Sequence, residues 1–228
     1  MKNIIFFLTF ILIAPEVSAQ CNNLYYQLKE GTVITMESYD KKDKMQSRSE
    51  TTVTKYENTA NGYIATISYK IYDNKEKVIS EGEYAMECED GVVKIDMSGI
   101  VPAESMTAFQ DMEFEVEMDQ LQYPANMSTG QTLEDASIKI SAQSGPIPMN
   151  MIFDITDRKV EGKESITTPA GTFDCYKISY NTHSKMMVAN MNFTNIEYLS
   201  EGSGVVKTET YKSNGNLVSY TLLAKYEY

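Results

Sequence analysis

Tyr63-Ile64-Ala65-Thr66-Ile67-Ser68-Tyr69-Lys70-Ile71-Tyr72 decides the fold. Its members Tyr63, Ala65, Ile67, Tyr69 and Ile71 recur at every second position, so an extended chain places all five on one face. A helix would scatter them around its axis. The β-branched and aromatic side chains suit a pleated, half-buried surface. The same period returns at Phe114, Val116 and Met118, which alternate with Glu113, Glu115, Glu117 and Asp119. It returns again over residues 205–211 and 217–228.

Outward from these runs, turn-forming residues punctuate the chain at 40–44, 58–62, 73–77, 89–91 and 213–215. Tyr39-Asp-Lys-Lys-Asp-Lys and Tyr72-Asp-Asn-Lys-Glu-Lys resemble one another, which suggests repeated hairpins. Longer loops are expected at 123–130 and 143–148. Neither has the length or bias of a domain linker. One short helix is expected over 102–112, with Pro102 near its start and Ala108, Phe109 and Met112 at helical spacing. The expected fold is all-β: about ten strands in a mainly antiparallel meander, as a curved sheet, half-open barrel or sandwich.

The first residues set the compartment. Lys2 precedes an apolar run over 4–14, interrupted only by Thr9, and Val17-Ser18-Ala19 offers small residues for cleavage. This is the layout of a signal peptide over 1–19, too short to span a bilayer. It leaves one exported β-rich domain over 20–228, periplasmic or secreted. Cys21 raises a lipid anchor, but the anchored cysteine directly follows the cut, and Gln20 stands between. Release is therefore favoured. Cys21, Cys88 and Cys175 allow one disulfide in an oxidising compartment, with three pairings open.

Lys2 and Glu16 cancel, so the mature chain keeps the net charge of −12. That acidity disfavours nucleic acid and anionic membrane surfaces as partners. No second apolar run has the length of a membrane helix. The chain lacks GxSxG, HExxH and glycine-rich phosphate loops, and it has one histidine, His183, and no tryptophan. A non-enzymatic role without cofactor or metal follows as the expectation. The acidic alternation at 113–119 spreads its carboxylates along a strand, about 7 Å apart, which suits a solvated face better than calcium.

Methionine is abundant, 14 in the chain, beside 16 tyrosines. Thioethers fill irregular apolar space and make adaptable binding walls. Met149, Met151, Phe153, Tyr176, Ile178, Met187 and Met191 are the expected lining of an apolar, lipid-like ligand site. A ligand-free interaction module binding an envelope protein is the alternative. An enzyme or a methionine-based copper binder is more remote, the latter needing three thioethers at one point.

One region carries a family signature. Residues 163–180, with Thr168-Pro169-Ala170-Gly171-Thr172-Phe173 at their centre, resemble the strand–turn–strand of TapB-like secreted proteins. Lys29-Glu-Gly-Thr32, Tyr123-Pro124 leading to Gly130-Gln-Thr-Leu133, and Gly202-Ser-Gly-Val-Val-Lys207 extend the likeness along the mature chain. The resemblance implies an exported β domain of unknown function with a curved or barrel-like sheet, akin in fold to half-open lipid carriers. It supplies no catalytic residues. Locally, Pro169 presets a turn and Gly171 can take positive φ.

Overall fold

A computed structural model describes residues 21–100, 114–144, 147–186 and 189–228. Thirteen strands follow the alternation. They are β1 (Val33–Asp40), β2 (Met45–Thr59), β3 (Gly62–Asp73), β4 (Val78–Glu89), β5 (Val92–Asp96), β6 (Phe114–Met118) and β7 (Gln120–Pro124), then β8 (Ala136–Ser144), β9 (Ile147–Thr168), β10 (Gly171–Met186), β11 (Ala189–Ser200), β12 (Gly204–Lys212) and β13 (Leu217–Glu227). All pair antiparallel in one sheet, ordered β6-β8-β9-β10-β11-β12-β13-β1-β2-β3-β4-β5-β7. Its outermost strands, β6 and β7, are consecutive in sequence. The sheet therefore curls into a nearly closed barrel.

The expected helix at 102–112 lies outside the described residues. Among those described, the one helical piece is a 3-10 turn at Met97–Ile100. The loop expected at 143–148 is corrected. The chain is strand to Ser144 and again from Ile147, with Gln143 opposite Pro148. A proline is tolerated there because it sits at the start of a strand.

The related turns do share one geometry. Asp40 Oδ1 accepts from the backbone N–H of Lys42 and Lys44, and Asp73 Oδ1 accepts from those of Lys75 and Lys77. Asp43 and Glu76 take the positive φ each turn requires, at 59° and 61°. The hairpin between β12 and β13 repeats the scheme, with Gly215 at φ 79° and Lys212 N–H bonded to Asn216 O.

Before β1 the chain forms a strap across one end of the barrel. Tyr25, Tyr26 and Leu28 enter the main core beside Val53, Tyr63, Ile67, Cys88, Val93, Val160, Ile178 and Leu199. Asn23 fixes the strap at one side, donating to Gly91 O and Tyr123 O and accepting from Tyr25 N–H. At the other side Gly202 and Gly204 donate to Leu24 O and Tyr25 O. Gly204 has φ 71°, and a Cβ there would stand 2.7 Å from the Tyr26 ring, so glycine is required twice over.

The Pro169-Ala170-Gly171 turn closes the β9–β10 hairpin, with Gly171 at positive φ. Ala170 N–H donates to Leu223 O, and Ile166 and Phe173 pack with Val206, Leu223, Ile34 and Met36. The tip of this long hairpin is thus pinned onto β12, β13 and β1.

Candidate functional site

Residues directly opposite in an antiparallel ladder project from the same face. One row runs Met118–Ile138–Phe153–Ser184–Met191 across β6, β8, β9, β10 and β11. The next runs Val116–Ile140–Met151–Met186–Ala189. Ile138, Ile140 and Met151 are buried with Met97, Ala136 and Ile155, and Leu121, Phe153 and Tyr180 pack beside them. The flanks are open: Val116 is 44% exposed, Met118 40% and Met191 47%. Three expected site residues, Met151, Phe153 and Met191, therefore share one face, with Met149 at the register position opposite Ala142. Met187 lies outside the described residues.

Tyr176 and Ile178 do not join that face. Ile178 is fully buried in the main core, and Tyr176 packs at that core's edge with its O–H donated to Met127 O at 2.8 Å. Beside Tyr176 a depression of about 400 Å³ is walled by Tyr25, Lys163, Phe173 and Glu201, a mixed and polar setting. Two register irregularities in β9–β10, between Lys177 and Asn181, separate these positions from the methionine rows.

Where β7 approaches β8 and β9 there is no ladder among the described residues, and a side chain closes the seam. Arg158 Nη1 donates to Gln122 O on β7 and to Glu134 O, both at 2.9 Å. Its guanidinium carbon lies 4.9 Å from the Tyr123 ring centroid. Glu197, on β11, receives the Tyr123 O–H on Oε2 at 3.2 Å. Arg158 is 1% exposed and Glu197 5%. Burial holds the Glu197 carboxyl above the usual carboxylate range, while Arg158 and Tyr123 pull the other way. Burial also pushes the Tyr26, Tyr123 and Tyr180 phenols up, each raised further by Glu197.

Cys21 and Cys88 form a disulfide, with Cα atoms 5.9 Å apart, and Cys175 is the free, buried thiol. This selects one of the three pairings. Among the described residues no group of His, Cys, Asp and Glu is arranged to hold a metal ion. No helix among them is long and apolar enough to cross a membrane.

The profile of the DUF3108-like family matches residues 29–223. The chain belongs to the DUF3108-like family. No curated protein matches it. A Bacteroides fragilis protein, provisionally described as exported and of YmcC-like fold, superposes with a TM-score of 0.74 at 20% identity, covering 90% of this chain and all of that one. A Parabacteroides distasonis protein, provisionally described as a lipoprotein, gives 0.73 at 27% identity, covering 90% and 99%. These likenesses establish the YmcC-like architecture for this DUF3108-like chain.

Sequence reasoning missed the seam. No role was read into the charged triplet Asp157-Arg158-Lys159, yet Asp157 takes φ 56° and Arg158 turns inward. Glu197 carried no readable signal: period two over Asn195-Ile196-Glu197-Tyr198 turns Ile196 and Tyr198 inward, yet Asn195 and Glu197 are buried beside Leu199.

Proposed function

We propose that this chain is an exported, non-enzymatic β protein that binds an acyl-chain-like ligand along the face formed by β6, β8, β9, β10 and β11. The carrying observation is the pair of apolar rows, whose centre is buried and whose ends at Val116, Met118 and Met191 are open. A ligand laid across them would extend the core outward. Covering about 300 Å² of apolar surface contributes about 7 kcal/mol before ordering costs. Export is supported by the leader sequence and by the exported and lipoprotein descriptions of the two similar structures. Release, not anchoring at Cys21, fits the Cys21–Cys88 disulfide, because a lipid thioether needs the same sulfur. The likeness to TapB-like secreted proteins belongs to this reading.

A fluorescent fatty-acid analogue tests the site. Wild type should enhance its emission, and Met118→Glu with Met191→Glu should weaken binding at least tenfold while leaving the melting temperature near wild type. Equal binding by both proteins would remove the face from consideration.

A second reading has its own observation. β6 is an outermost strand, and every residue from Glu115 to Gln120 is exposed on both faces. A strand from an envelope partner can add to such an edge. In that case the analogue would bind neither protein, and a defined complex would be recovered instead.

A further inference from the structure

Inside the barrel, two polar atoms face each other without bonding. Arg158 Nη2 and Glu197 Oε1 lie 4.0 Å apart, both buried, and neither finds a hydrogen-bond partner among the described residues. Neither side chain is loose. Arg158 Nη1 is held by Gln122 O and Glu134 O, and Glu197 Oε2 by the Tyr123 O–H. The gap exceeds a hydrogen bond, yet one oxygen placed to the side can sit about 2.8 Å from both atoms.

The chemistry of that oxygen is restricted. It must accept from the guanidinium and also satisfy a carboxyl oxygen. A phosphate or carboxylate oxygen can only accept, so it serves Glu197 only while that carboxyl carries its proton, and an ammonium would be repelled by Arg158 and has nothing to accept with. A hydroxylic oxygen both donates and accepts, so it serves either protonation state of Glu197. Buried waters characteristically occupy such positions, bridging otherwise unsatisfied groups.

We infer that the barrel interior binds a single hydroxylic oxygen bridging Arg158 Nη2 and Glu197 Oε1. It comes either from an internal water or from the head group of a bound amphiphile. Leu121 packs against both the apolar face and the main core, and its neighbour Gln122 accepts from Arg158, so the two sites adjoin. The head-group source rests on the apolar-face reading; the water source does not.

Crystals of the protein as purified, and others soaked with dodecan-1-ol, test this at a resolution that shows ordered water. An isolated oxygen peak within hydrogen-bond distance of both atoms supports the inference with water as the source. Density continuing from that peak toward Met151 supports it with a head group as the source. A direct Arg158–Glu197 hydrogen bond, or no density between them, overturns it. Glu197→Gln should keep the peak, and Glu197→Leu should lose it. A peak unchanged in Glu197→Leu also overturns the inference.

Discussion

Arg158 and Glu197 show how single residues close a barrel that its hydrogen-bond ladder leaves open. The fold favours the protonated form of Glu197, so its contribution to stability is complete below the range of an unfolded carboxyl. That contribution is lost as pH rises through the raised folded value. Glu197→Gln stays neutral throughout, so its stability relative to wild type should increase as pH rises above the range of an unfolded carboxyl. Urea unfolding at several pH values measures this, and a constant difference would contradict it. Arg158→Met leaves the Gln122 and Glu134 carbonyls without their buried donor, for an expected loss of about 2–6 kcal/mol. Thermal melts check that figure, and an unchanged melting temperature would refute the seam role. Cys175 belongs at this scale too. Burial pushes its thiol up to about 11, so alkylation at neutral pH should be slow until the protein unfolds. Fast labelling of native protein would show that the thiol is accessible.

At the scale of elements, the strap before β1 bridges strands far apart in the sheet order, bonding to Gly91 and Tyr123 at one side and to Gly202 and Gly204 at the other. The Cys21–Cys88 bond ties its start to β4 across a separation of 67 residues. Loop-closure entropy for that span gives about 4 kcal/mol, so Cys21→Ala with Cys88→Ala should lower stability by up to that amount. Intact mass spectrometry should find one disulfide and one free thiol. Two or three free thiols, or a lipid mass on Cys21, would contradict the arrangement. Most strands were legible because alternation survives wherever one face meets the core, as from Tyr63 to Ile71. About ten strands were expected and thirteen are seen; β6 and β7 are short and parted only at Asp119, which redirects the chain from β8 to β5 with its carboxylate bonded to Ser137. The signal for Tyr176 and Ile178 failed for a related reason. Register irregularities along β9 and β10 place residues of one strand in different cores.

For the whole molecule, a thirteen-stranded sheet curls until its outermost strands are neighbours in sequence, and the strap and Arg158 secure the closure. Along the β6–β8–β9–β10–β11 stretch, the apolar interior runs outward to exposed Val116, Met118 and Met191. Part of this was visible in advance, since Met151, Phe153 and Met191 stood out by composition. Their common face was not visible, because it depends on the pairing register of five strands and on the bulges within β9–β10. On the proposed reading this face carries an apolar guest. Native mass spectrometry of the mature protein, purified gently from its own envelope, tests it most directly by comparing intact and denatured masses. The account predicts a reproducible excess mass of acyl-chain size that denaturation releases and that Met118→Glu with Met191→Glu abolishes. A bare monomer mass, or an excess mass retained by that variant, would contradict it.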